Sequence, residues 1–297
     1  MLMLVLTLIA NPKSRTLSEA MANSLSAEIG STQLVWLGDG CACDIALPEN
    51  LSSADARRIT ESATMDAPVD FAIQLNEKRR KQVLIADMDS TMIEQECIDE
   101  LAEEVGLREE VSAITAKAMN GELDFEASVN ERVALLEGIS TNVAEKIISN
   151  RIDFASGGRT LVQTMKANGA YTALVSGGFT SFTQPIAKTL GFDENRANVL
   201  LEDDGKLTGK VQMPILGADA KVVALNEIAT QKNLTANDFI AVGDGANDIP
   251  MLQIAGTGVA LHAKPSVAQQ TEISINHGDL TALLYLQGYS EADFTDG

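Results

Sequence analysis

Cysteine, histidine, aromatic side chains and basic charge are all scarce in this chain, and each scarcity removes a class of function. Cys41, Cys43 and Cys97 are three in number, with no C-x-x-C spacing, and there are only two histidines. That set suits neither a disulfide framework nor a zinc site, and free thiols fit a reducing cytoplasm. Lys and Arg number 22 against 42 Asp and Glu, a formal charge of −20. Such a surface would repel nucleic acid and anionic membranes. No apolar run reaches the length of a membrane span. The apolar opening from Met1 to Ala10 lacks a basic lead and runs into Asn11-Pro12-Lys13, a poor cleavage region, so it reads as a buried strand and not as a signal peptide.

What is present is a globular chain: 297 residues, 45% of them apolar, enough for one large domain or two modest ones. Residues 1–75 read as strand (2–9), helix (16–28), strand (32–37), strand (42–47), helix (52–62) and strand (69–75), with a turn at Gly38-Asp39-Gly40. The order βαββαβ matches a small α+β ferredoxin-like module. Residues 76–82, centred on Glu77-Lys78-Arg79-Arg80-Lys81, form a charged linker and the expected domain boundary. From residue 83 to 297, strands expected at 83–87, 171–175, 238–243, 257–261 and 272–275 alternate with helices. This implies an α/β doubly wound parallel sheet. A helical insertion at about 92–155 carries an apolar stripe at Ile93, Cys97, Leu101 and Val105 and is placed to act as a cap or lid. A hairpin over 198–213 turns at Asp204-Gly205.

The chemistry concentrates where these strands end. Val83-Leu84-Ile85-Ala86-Asp87-Met88-Asp89-Ser90-Thr91 places Asp87 and Asp89 on one side at the end of a doubly buried strand, where open α/β sheets bind ligands. Two adjacent anions are tolerable there if a cation binds or one acid holds a proton. Ser176-Gly177-Gly178 closes the next strand, and a hydroxyl with glycine N–H groups before a helix makes an anion seat, although a plain tight turn reads the same way. Lys221 lies in the first turn of a helix, where the macrodipole disfavours a cation. A solvated lysine and an anion-binding one both remain open on that ground. Val242-Gly243-Asp244-Gly245-Ala246-Asn247-Asp248 ends a further strand with two acids. Hard oxygen donors of this kind suit Mg²⁺, while Asp248 could equally cap the helix that Pro250 begins.

Four such segments in this order resemble the haloacid dehalogenase superfamily of aspartate-nucleophile phosphatases over residues 83–278, and within it most closely the phosphoserine phosphatases. The resemblance implies Asp87 as nucleophile, Asp89 as general acid and base, and Ser176, Gly177, Lys221 and Asn247 on the phosphoryl group. It also implies Mg²⁺ held by Asp87, the Asp89 backbone carbonyl and Asp244, with Asp248 orienting that shell. In the insertion, Glu96 matches a residue meeting the substrate ammonium, Arg132 one binding its carboxylate, and Met119 and Phe125 apolar cap contacts. From residue types alone Glu96 reads as part of an acidic, solvated helix face, and Phe125 suits core packing nearly as well as a cap contact. The implied reaction is Mg²⁺-dependent hydrolysis of O-phosphoserine, the last step of serine biosynthesis; the rival is a phosphatase or phosphotransferase of the same fold for another small phosphate. A receiver-type signalling module would have no use for the helical insertion, and a serine-binding regulator would release no phosphate. Residues 1–75 resemble small amino-acid-binding modules and are expected to regulate or to form a homodimer.

Overall fold

The computed structural model describes residues 3–119 and 122–297. It opens with β1 (Leu4–Ala10), α1 (Glu19–Ile29), β2 (Leu34–Gly38), β3 (Ala42–Ala46), α2 (Ser53–Thr64) and β4 (Val69–Leu75). Local chemistry sets the helix ends: the Ser18 and Ser52 side chains accept from the backbone N–H groups of Met21 and Asp55, and Gly30 closes α1 in the left-handed region. The four strands form an antiparallel sheet ordered β2-β3-β1-β4, the arrangement expected of a βαββαβ chain. Leu6, Leu8 and Ala10 of β1 join Leu17, Ala22, Leu25 and Ile29 in the core beneath the helices.

β5 (Val83–Ala86) follows, and then a helical insertion of α3 (Cys97–Glu104), α4 (Arg108–Met119), α5 (Phe125–Ala134) and α6 (Val143–Arg151). The insertion leaves and returns through a short neck. Ile93 and Phe154 form an antiparallel bridge, the Glu94 N–H donates to the Asp153 carbonyl, and the Ala155 N–H donates to that of Met92. Gln95 and Asp153 exchange two further hydrogen bonds, at 2.9 and 3.1 Å. Ile93 therefore belongs to the neck and not to the helical stripe that Cys97 and Leu101 continue.

The remainder supplies α7 (Gly158–Ala167), β6 (Tyr171–Phe179), α8 (Thr180–Leu190), β7 (Glu194–Asn198), the hairpin β8 (Leu200–Asp203) and β9 (Lys206–Val211), and α9 (Ala218–Lys232). It ends with β10 (Phe239–Gly243), α10 (Ile249–Ile254), β11 (Thr257–Leu261), α11 (Pro265–Ala268), β12 (Ile273–Ile275) and α12 (Ala282–Leu286). A six-stranded sheet runs β12-β11-β10-β5-β6-β7, with parallel pairs β10–β11, β11–β12 and β6–β7. β7 had no counterpart among the expected strands. Its sequence, Glu-Asn-Arg-Ala-Asn, has no apolar run, because an edge strand needs little apolar surface and can satisfy polar side chains locally. Arg196 pairs with Glu194 and Glu227, and Asn195 accepts from Thr183.

Contact density groups residues 1–84, 156–172 and 235–297 in one compact unit and 85–155 with 173–234 in another. Within the first, the amino-terminal sheet is bonded to the carboxyl-terminal segment. The buried Asp70 carboxylate on β4 accepts the backbone N–H groups of Asn276, His277 and Gly278 at 2.8, 2.9 and 2.7 Å. Asp44 of β3 accepts from Thr7 and pairs with Arg79 in a largely buried bridge, and every residue of α12 is buried.

Replacing Asp70 leaves three N–H donors, that of the buried Gly278 among them, without their carboxylate acceptor. Asp70→Ala should therefore lower the unfolding free energy by about 3 kcal/mol or more, read from chemical denaturation. A loss below about 1 kcal/mol, the scale of one ordinary hydrogen bond, would show that the segment is held by other contacts.

Candidate active site

β5 ends at Ala86, so Asp87 and Asp89 project from the first turn beyond it. Asp87 is buried, and its Oδ1 lies 2.6 Å from Nζ of Lys221. Lys221 is 1% exposed, which decides between its two readings: it is an interior cation. A lysine loses its hydration at that depth only when a carboxylate and hydrogen bonds replace it.

Asp89 is bonded to two neighbours. Its Oδ1 accepts the Cys97 backbone N–H at 2.9 Å, and its Oδ2 accepts from Ser176 Oγ at 3.2 Å. Burial pushes its carboxyl above the usual range, against the downward pull of the Cys97 N–H and thiol, Ser176 and the Lys221 charge. Ser176 Oγ also accepts the Gly178 N–H at 2.9 Å, so its hydroxyl is fixed on both sides. Burial, with the adjacent Asp89 charge, raises the Cys97 thiol. It stands as a neutral hydrogen-bond donor.

Beyond β10, Asp248 folds its carboxylate back to accept the Gly245 N–H at 3.0 Å. It occupies the residue before α10 without capping that helix through its side chain. A Cβ at Gly243 would lie 2.3 Å from Asp248 Cγ, and one at Gly245 would lie 2.3 Å from Asn247 Oδ1. Gly243 is thus required by the close approach of Asp248, and a side chain at Gly245 would displace the Asn247 amide. β5 and β10 are hydrogen-bonded neighbours in the sheet, and oxygens of Asp87, Asp244 and Asp248 all come within 4.8 Å of one another. Three carboxylates gathered this closely, with no imidazole or thiolate among them, are a donor set for a hard cation.

In the insertion, Glu96 precedes α3 and accepts from Ser90 Oγ at 2.7 Å. Ser90 has φ 55°, uncommon for a side chain of its type, and that backbone twist turns its hydroxyl to Glu96. Arg132 donates from Nε to the Ser128 carbonyl at 3.1 Å. Burial lowers the pKa of its guanidinium, while Asp99 and Glu96 pull in the opposite direction. Phe125 opens α5 and is 41% exposed, so it is not a core residue. Cβ atoms placed on Gly177 and Gly217 would meet its ring at 3.7 and 3.3 Å. The Met119 side chain lies outside the described residues.

Sequence reasoning missed Ser90 and Cys97 as supports of Glu96 and Asp89. Ser90 stood inside the quoted motif, but its role depends on a positive φ. Cys97 acts through its backbone N–H as well as its thiol, and no side-chain pattern displays the former.

The profile of the haloacid dehalogenase-like hydrolases matches residues 84–253. The chain is 41% identical to the phosphoserine phosphatase of Haemophilus influenzae over 234 residues, covering 78% of this chain and 73% of that one. Among solved structures, a haloacid dehalogenase family hydrolase from Salmonella enterica aligns over 96% of this chain and 98% of its own, with a TM-score of 0.84 at 32% identity. A phospho-aspartyl intermediate analogue of phosphoserine phosphatase aligns over 69% of this chain and 98% of its own, with a TM-score of 0.64 at 41% identity.

Removing the Lys221 ammonium strands a buried carboxylate. Lys221→Ala should cost about 3 kcal/mol of stability in metal-free buffer, measured by chemical denaturation. A change under about 1 kcal/mol, the range of solvent-exposed pairs, would show that the lysine offsets no buried charge.

Proposed function

The chain belongs to the haloacid dehalogenase-like hydrolases, and we propose that it is a phosphoserine phosphatase, releasing serine and phosphate from O-phosphoserine through an aspartyl-phosphate on Asp87. The observation that carries this reading is the union of two charge patterns. A buried Asp87–Lys221 pair stands beside the anchored Asp89, and the insertion sets an acid, Glu96, in the field of an arginine, Arg132. Phosphoserine is the matching ligand, since it carries an ammonium and a carboxylate next to its phosphate. A carboxylate and a bidentate guanidinium are the complementary groups. Relatives of about 40% identity that bear the same activity support the assignment.

In the proposed mechanism an Asp87 oxygen attacks phosphorus in line with the serine Oγ, forming one P–O bond as the other breaks. Asp89, its carboxyl raised toward the protonated form, delivers a proton to the departing oxygen. It then takes one from the water that attacks phosphorus, freeing Asp87 and releasing phosphate. Lys221, Ser176 Oγ, the Gly177 N–H and Asn247 receive the phosphoryl oxygens, whose charge is the main object of stabilisation in such transfers. Phe125 closes the apolar side of the substrate, and Met119 is assigned beside it by the family resemblance alone. The carboxylates fit Mg²⁺, which Asp87, the Asp89 carbonyl and Asp244 would hold with Asp248 orienting them. The bound ion supplies positive charge against the phosphoryl oxygens.

The division into an amino-terminal module of residues 1–75, a linker 76–82 and a phosphatase part from 83 with its cap at about 92–155 belongs to the same proposal. So does a regulatory or dimer-forming role for the module. Its β2 stands at a sheet edge with Val35 58% exposed, which supports pairing with a second copy. No helix among the described residues is long and apolar enough to cross a membrane, and the three buried cysteines are unpaired. Both agree with work in the cytoplasm.

Phosphate release from a panel of small phosphomonoesters, with Mg²⁺ and with chelator, tests the function. O-phosphoserine should be the best substrate, activity should vanish with chelator, and Asp87→Asn should be folded but inactive. A clear preference for another phosphate would replace the substrate while leaving the reaction. Glu96→Ala and Arg132→Ala should each lose phosphoserine activity by tens-fold, corresponding to about 2 kcal/mol for a charged hydrogen bond. Both should lose much less on an aryl phosphate, which has no ammonium or carboxylate. Equal losses on both substrates would assign the two residues to cap closure.

A further inference from the structure

Asn198 is the last residue of β7, is 2% exposed, and has a side chain engaged on all sides. Its Nδ2 donates to the Gly177 carbonyl at 2.9 Å and to the Leu216 carbonyl at 3.2 Å, and its Oδ1 accepts the Leu216 N–H at 2.7 Å. One amide thereby joins two segments, the carboxyl end of β6 and the entry to α9, that have no backbone hydrogen bond to one another among those described. The first is Ser176-Gly177-Gly178, whose serine hydroxyl bonds to Asp89 and whose Gly177 N–H the phosphatase reading assigns to the phosphoryl group. The second is Leu216-Gly217, which leads directly into α9 and so fixes where Lys221 begins its reach to Asp87. We infer that Asn198 is the positioning residue of the phosphate cradle: it holds the Ser176–Gly177 edge and the Lys221 edge at a fixed separation.

The chemistry of the side chain supports this role over a merely structural one. A primary amide offers two donors and an acceptor in one rigid plane, and here both Nδ2 hydrogens and Oδ1 are used. A buried polar group that satisfies backbone on two segments fixes their relative geometry more sharply than apolar packing, since hydrogen bonds are directional. In a site whose power lies in preorganised donors, small displacements of those donors are costly. None of the three bonds involves Glu96, Arg132 or the helices of the insertion. The role therefore predicts a separable effect on recognition of the phosphate and not of the serine part.

This inference rests on the phosphatase reading, and the experiment keeps the two apart. Asn198→Ala and the milder Asn198→Ser would be compared with the full-length parent by calorimetric titration with inorganic phosphate in Mg²⁺ and, separately, with L-serine. Turnover of phosphoserine would be followed in parallel. Folded Asn198→Ala should bind phosphate about tenfold or more weakly, the scale of losing buried hydrogen bonds that orient donors. Its serine affinity should stay within about threefold, since no serine contact is touched. Asn198→Ser should fall between alanine and parent, and kcat should drop further than KM rises. Unchanged phosphate affinity in either folded variant overturns the inference. So does an equal loss for phosphate and serine, which would make Asn198 a general prop. A parent that binds phosphate but does not hydrolyse phosphoserine would defeat the functional reading alone, leaving the titrations to judge Asn198.

Discussion

Burying a charge at the edge of a sheet is the constraint on which the rest of this structure depends. Asp87 and Lys221 lie 2.6 Å apart in an interior where neither would be tolerated alone. Their pairing dictates that α9 start where Leu216-Gly217 delivers it, and that β5 end in a turn open to more than one cation. Asp244 and Asp248 add anionic charge to the same edge. Three carboxylates gathered round one ammonium make that edge a donor set for a hard cation. The acidity of the chain as a whole adds to that negative charge. With a formal charge of −20, an anionic ligand is attracted only by what these few side chains concentrate at one place.

Much of this was legible from the residues in order. Strand ends are set by local patterns, so apolar runs closing in Asp87-Met88-Asp89, Ser176-Gly177-Gly178 and Gly243-Asp244 give both the sheet and its ligand-binding edge. The βαββαβ order of the first 75 residues was likewise visible in alternating periodicity and serine caps. What stayed hidden depends on distance in sequence. Lys221 looks like a surface lysine until Asp87 is seen beside it, 134 positions earlier in the numbering. β7 is polar because it is an edge, and Asn198 gains its meaning only from Gly177 and Leu216. Cys97 works in part through its N–H, and Ser90 through a positive φ. No pattern of side-chain types encodes either.

The amino-terminal sheet illustrates a further limit of reading along the chain. The charged stretch 76–82 has the composition of a free linker, yet Arg79 within it is largely buried against Asp44, and Asp70 is tied to the backbone at 276–278. Charge that would be solvated in a flexible connection instead closes a polar seam between the first and last parts of the sequence. Such seams are directional, and they make the module an integral contributor to the stability of the unit that carries Asp244 and Asp248.

The neck at Ile93 and Phe154 has a consequence on another timescale. Because the insertion departs and returns through two adjacent, mutually bonded segments, its own length is nearly irrelevant to the sheet. The entropic cost of closing such an excursion grows only with the logarithm of its residue count. Helices past α3, whose Cys97 N–H holds Asp89, can therefore be added, removed or exchanged over evolutionary descent while Asp87, Asp89 and Lys221 keep their places. A lineage carrying this architecture can alter that one excursion and inherit the carboxylates and the buried lysine at the strand ends unaltered.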